Sequence, residues 1–281
     1  MNEKNILIIG MSKTGKTHFG GQLYGRLKTG QNEYSLQETP NNLNLFQDIL
    51  DNLNQGLEGK HTDSKLHETI VLPVLSKSGN KIDLIYPDYG GEQLRGMIEQ
   101  RKISEVWQKQ ILDSSHWFLF IRLDLIENIS DVTTKFYRQI EEEKDVKSKQ
   151  TNITDIPVVS AAFYVELLQT FLYAKSLNAQ SKDKPPLTIL LSCWDKLKQR
   201  KNTVPANVLE DKMPLLHYFI INNWNDQNLS VVGLSSLSKD LNAKKPDLDF
   251  AMDGPENFGY FVNETGKVES DLTHLLNQVA I

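Results

Sequence analysis

The stretch Gly10-Met11-Ser12-Lys13-Thr14-Gly15-Lys16-Thr17 constrains this chain more than any other feature. It satisfies G-x-x-x-x-G-K-[ST] at every fixed position. It also stands between an apolar run, Ile6 to Ile9, and a helix-compatible stretch from Lys16 through Arg26 that stops at Gly30. Strand, glycine loop and helix in that order make a cradle for phosphate. The glycines let backbone N–H groups turn inward, Lys16 can reach β- and γ-phosphates, and the Thr17 hydroxyl can ligate Mg2+. An ordinary glycine-rich turn can carry the same letters, but not so readily between a buried strand and a helix. Gly10, Ser12, Lys13, Thr14, Gly15, Lys16, Thr17 and the adjoining His18 are the expected contacts to a nucleotide's phosphates.

The rest of the chain alternates in kind. Leu43, Phe46, Ile49, Leu50 and Leu53 recur at helical spacing, so Asn41 to Gln55 is expected as an amphipathic helix closed by Gly56. Thr69 to Leu75 and Ile82 to Tyr86, separated by Ser76-Lys77-Ser78-Gly79-Asn80, read as an antiparallel hairpin. Glu92 to Leu112 is expected as one helix, and Trp117 to Ile121 as a buried strand ending near Arg122 and Asp124. Val158 to Ser176 reads as a helix, Leu187 to Leu191 and Leu229 to Leu234 as buried strands, and Ser270 to Val279 as a terminal helix capped by Asp271 or Ser270. The pattern predicts an α/β, three-layer fold: a mostly parallel sheet covered on both faces, with one antiparallel edge strand. A single domain over residues 1–281 is expected, with core 5–237, insertions at 31–61 and 125–157, and a C-terminal extension from 238.

A net charge of −5 with mixed signs and no basic stripe argues against nucleic acid as a partner. The lone Cys193 permits no internal disulfide and fits a reducing, cytoplasmic setting. The longest apolar runs, such as His116 to Leu123, fall well short of the roughly 20 residues that cross a bilayer.

Three further loops carry chemistry. Asp88, in Pro87-Asp88-Tyr89-Gly90-Gly91-Glu92, stands at the end of a strand, where it is a natural second Mg2+ partner; a simple turn uses the same residues. Asp195, in Ser192-Cys193-Trp194-Asp195-Lys196, can accept two N–H bonds from guanine, a pairing that adenine cannot satisfy, or can merely cap a helix. Ser235 and Ser236 follow the last strand.

Taken in order, P-loop, Asp88-x-x-Gly91, x-x-x-Asp195 and a serine loop resemble the Ras-like class of P-loop GTPases over most of Asn5 to Leu237. The chain departs from that class at Ser192, where Asn or Thr is usual, and at Cys193, which replaces the Lys whose stem packs along the base. The resemblance implies bound GTP or GDP with Mg2+, a Gly91 amide that senses the γ-phosphate, and base contacts from Cys193, Asp195, Lys196, Ser235 and Ser236. It also implies a switch threonine ahead of the hairpin. Thr62 fits, whereas a predicted helix separates Thr39 from the hairpin and Thr69 is a strand residue. Thr17, Thr62 and Asp88 would then hold the metal.

Where the class has a water-orienting Gln, this chain has Glu92, with Gln93 next; Glu92 equally suits the start of a helix. Lys13 occupies a place where some dynamin-like GTPases carry an arginine finger, or it projects into solvent. Lys16, Lys13, Glu92 and Gln93 are thus the candidate catalytic residues. The long segment before the switch, the Ser-Cys-Trp-Asp loop and the C-terminal tail look similar to bacterial double-GTPase proteins of conflict systems. That similarity implies a switch that gates an effector or regulator protein, with a homodimer as a further arrangement. Two other readings stay open: a P-loop ATPase or small-molecule kinase, and a scaffold that binds nucleotide without cleaving it.

Overall fold

A computed structural model describes residues 3–30, 33–38, 44–59, 69–87, 91–125, 161–197 and 202–278. Thr62, Asp88 and nearly all of the charged insertion lie outside the described residues.

Among the described residues the chain builds a nine-stranded sheet in the order β2-β3-β4-β1-β5-β6-β7-β8-β9. Its parallel centre consists of β4 (Lys81–Tyr86), β1 (Glu3–Gly10), β5 (His116–Arg122), β6 (Leu187–Ser192) and β7 (Leu229–Ser235). These are the continuous apolar runs of the sequence, as strands buried on both faces must be. The expected hairpin is β3 (Ile70–Ser76) against β4. The single antiparallel edge strand needs correction: β2 (Tyr34–Leu36) extends that edge, and β8 (Tyr260–Val262) and β9 (Val268–Glu269) add a second antiparallel edge beside β7. Strands of two or three residues are too short for an alternation signal in sequence.

Side chains alternate across the sheet, and each set meets its own layer. Ile6, Ile8, Phe118, Phe120, Leu190 and Val232 face α1 (Lys16–Thr29), α2 (Asn44–Asn54) and the C-terminal 3-10 segment Leu272–Gln278. Leu7, Ile9, Leu119, Ile121, Ile189 and Leu191 face the other layer. That layer holds α3 (Glu92–Gln100), α4 (Glu105–Asp113), α5 (Ala161–Ala174), α6 (Pro205–Lys212) and α7 (Pro214–Asn223).

Two helix expectations are corrected. Glu92 to Leu112 is two helices, because Arg101 turns into the left-handed region (φ 51°) and the Ser104 hydroxyl caps the next helix by accepting from the Trp107 amide. The terminal helix is 3-10 rather than α, with the Asp271 carboxylate accepting from the Thr273 amide as expected of a cap.

The segment after β7 packs back on α1 and α2. Arg26 of α1, buried, donates from Nη2 to the Glu256 and Phe258 carbonyls at 2.9 and 2.6 Å, and Gln22 donates to the Pro255 carbonyl at 3.0 Å. Gly56, at φ 69°, closes α2 and leaves no room for a side chain: a Cβ there would meet the Asp247 backbone, 2.8 Å from its carbonyl carbon. Asp247 itself begins the short helix α8 (Leu248–Asp253), its carboxylate accepting from the Phe250 amide.

Candidate nucleotide site

Parallel strands β1, β5, β6 and β7 end on one edge of the sheet, so the loops that follow them converge there. The first is Gly10 to Gly15. Gly10 pairs with Phe120, and a Cβ on it would sit 2.8 Å from Thr14 Oγ1 and 2.9 Å from Phe120 Cβ, so the loop closes only around glycine. Thr14 is buried and donates to the Met11 carbonyl at 2.8 Å. Lys13 and Gly15 take left-handed φ values of 63° and 80°, which turn the loop into α1, and open space surrounds the Gly15 Cα. Lys16 begins the helix and folds its ammonium onto the Gly10 and Met11 carbonyls at 2.7 and 2.8 Å. Burial lowers its pKa to about 7; an anion in the loop would raise it again. Thr17 and His18 follow in the first turn of α1.

Gly91, the N-cap of α3, lies directly on this loop. Its φ is 25°, and a Cβ there would meet the Met11–Ser12 peptide, 2.7 Å from Met11 Cα and closer still to the Ser12 nitrogen. Gly91 therefore packs directly on the Met11–Ser12 stretch of the loop. On the other side, a Cβ on Gly59 would stand 3.3 Å from His18 Nε2, so Gly59 lies beside α1. Glu92 opens α3. Gln93, exposed, accepts from Trp107 Nε1 at 3.3 Å.

The loops after β6 and β7 meet each other. Ser235 donates to Asp195 Oδ1 at 2.5 Å and accepts from the Ser238 amide at 3.0 Å, joining residues 40 positions apart. Asp195 belongs to a 3-10 turn, Trp194–Leu197, and its carboxylate binds this serine. Trp194 is buried against Gly233, whose missing Cβ would fall 2.8 Å from Cε2 of the indole. Cys193 adopts φ 53°, and burial, above all, pushes its thiol up to about 11, so it stays protonated. Lys196 turns away to Asp240 at 2.6 Å, and Ser236 is half-buried beside this turn.

Sequence reasoning missed Arg122 as a site residue. At the end of β5 its guanidinium grips Asp124 through Nε and Nη2 at 2.9 and 3.0 Å, and donates from Nη1 to the Lys13 carbonyl at 3.1 Å. The Asp124 bonds raise its pKa further. Tyr260 was missed as well. It lies opposite Ser235 in the β7–β8 pairing, and its phenol pKa is raised first by burial and then by the Asp195 charge. An Arg-x-Asp at a strand end was the only sequence signal for the first, and the second had none.

A phosphate loop at the carboxyl edge of a parallel sheet, with three further loops converging on it, defines a P-loop nucleotide-binding fold of the GTPase type. The chain belongs to the Double-GTPase 1 family, whose model matches residues 7–279. Among solved structures it is similar to the small GTPase Arl6 (BBS3) of Trypanosoma brucei with bound GppNp. That match has 10% identity and a TM-score of 0.38, and covers 90% of this chain and 94% of that one. It is also similar to the GTPase-like domain of S. cerevisiae Ski7, solved with GDP and phosphate and with GTP. Those two matches have 18% and 19% identity and TM-scores of 0.40 and 0.39, over 83% and 87% of this chain. This chain spans less than half of the Ski7 chains, 43% and 46%. No curated protein matches. Among the described residues, no helix is long and apolar enough to cross a membrane.

Proposed function

We propose that the protein is a GTP-binding switch that hydrolyses GTP slowly and governs an effector or regulator protein through its nucleotide state. The observation that carries guanine specificity is the Ser235–Asp195 hydrogen bond, which fixes a carboxylate on the same sheet edge as the phosphate loop. A carboxylate so placed accepts the N1–H and 2-amino N–H of guanine, whereas adenine presents an N1 lone pair and a C2–H there.

Gly10 to His18 would hold the phosphates, with Lys16 exchanging its carbonyl partners for phosphate oxygens. Thr17 would hold Mg2+ together with Thr62 and Asp88; the approaches of Gly59 to His18 and of Gly91 to Met11 and Ser12 support that grouping. Mg2+, when bound, neutralises charge on the phosphate oxygens. The Gly91 amide would sense the γ-phosphate, and its release would free the segments around Thr62 and Gly91 for a partner, or a second copy of the chain, to read. Cys193, Lys196 and Ser236 would line the base pocket.

Slow chemistry follows from Gln93, whose amide is engaged by Trp107. The same bond favours a second reading, a binder that does not cleave its nucleotide, with Lys13 and Glu92 idle. Calorimetric titration with GDP, GMPPNP, ADP and AMPPNP in Mg2+, comparing wild type with Asp195→Ala, tests the first point. Guanine-only binding that Asp195→Ala abolishes is the expected result; equal binding of adenine nucleotides would put an ATPase or kinase in first place. Phosphate release from GTP, above a Lys16→Ala control, separates slow hydrolysis from none.

A further inference from the structure

We infer that Arg122 is a positioning residue that locks the phosphate loop in its nucleotide-ready shape and ties it to the base-binding turn; this rests on the nucleotide-binding reading above. Three observations carry it. First, Arg122 Nη1 donates to the Lys13 carbonyl across 109 positions of sequence. Second, Lys13 is the loop residue held at φ 63°, a left-handed conformation that a side chain with a Cβ adopts at a cost. A charge-assisted bond to its carbonyl fixes that peptide plane, and with it the direction of the neighbouring N–H groups. Third, the guanidinium is not free to swing. Asp124 grips it through two parallel bonds, and Arg122 itself lies opposite Ser192, the residue before Cys193, in the β5–β6 pairing.

The placement also answers a peculiarity of the sequence. Cys193 stands where the base-recognition motif carries a lysine, and its buried thiol is uncharged. Arg122 holds its cation at the end of the neighbouring strand, opposite Ser192, and its guanidinium bonds the phosphate loop at Lys13. Phosphate grip and base grip are thereby joined through one side chain.

The test is a double-mutant cycle read by GDP titration. Arg122→Met should weaken GDP binding about tenfold, the scale of one hydrogen bond from a charged donor. Lys13→Gly removes the left-handed penalty, because glycine takes φ near 60° unaided. In the Lys13→Gly background, Arg122→Met should therefore cost less than about threefold. Arg122→Lys, which keeps the charge but not the fork, should behave like Arg122→Met. Melting temperatures without nucleotide identify a variant that fails to fold, and the Lys variant then carries the comparison. GDP affinity within twofold of wild type in Arg122→Met, or an equal loss in both backgrounds, overturns the inference while leaving the nucleotide reading intact. A wild type that binds none of the nucleotides removes both.

Discussion

Replacing Gly233 by alanine should disturb a distant carboxylate through simple crowding. Gly233 sits in β7 between Leu191 and Val262, and the Trp194 indole lies flat on its backbone. A Cβ there would stand 2.8 Å from Cε2 and nearer still to Cδ2, so the ring must recede by about an ångström to regain van der Waals distance. Trp194 is 5% exposed and packed among buried apolar side chains, so the shift is resisted. Overpacking of this kind costs about 1–3 kcal/mol, or about 2–10 °C in Tm for a chain of this size. The indole carries Asp195 with it, and a hydrogen bond of 2.5 Å does not survive a displacement of that order. Thermal denaturation should show the loss, and titration should show GDP affinity falling about tenfold. Adding Trp194→Leu, which vacates the space, should recover part of the Tm. An alanine variant that melts and binds GDP like wild type would refute the reasoning.

Ser235→Ala removes the donor to Asp195 and the acceptor of the Ser238 amide; GDP affinity should drop about tenfold by calorimetry, with folding retained. Arg26→Ala removes the buried donor to the Glu256 and Phe258 carbonyls, and urea titration should show a loss of about 3 kcal/mol. His116 is buried against Thr188, and burial lowers its pKa to about 3 from 6.5. The unfolded chain therefore takes up the proton first. The stabilising term is full above pH 6.5 and shrinks as pH falls towards 3, by about 2 kcal/mol at pH 5. Comparing wild type with His116→Gln at pH 7 and 5 isolates it, since equal losses would show that His116 contributes none. Gly91→Ala should lift the segment off Met11 and Ser12, and the ratio of GDP to GMPPNP affinity should move towards one in calorimetry.

Much of this was legible in the letters because it depends on neighbours in sequence. Ile6 to Ile9, the two glycines of the loop and Lys16 dictate strand, turn and helix locally, and the apolar runs of β5, β6 and β7 announce strands buried on both faces. The order of loops then made the edge where they gather foreseeable. Arg101 ended a helix that periodicity alone would continue, since its left-handed turn leaves no mark on hydrophobic spacing. Tertiary structure decided the rest. The bond that joins Asp195 to Ser235 spans 40 positions and has no mark in the local sequence. Arg122 looks like the polar end of a strand until Lys13 is found beneath it. Gly233 carries no motif-level sign of the Trp194 indole that presses on it. Such contacts join residues tens of positions apart, so no local pattern encodes them; the parallel sheet brings them together by ending its strands on one edge.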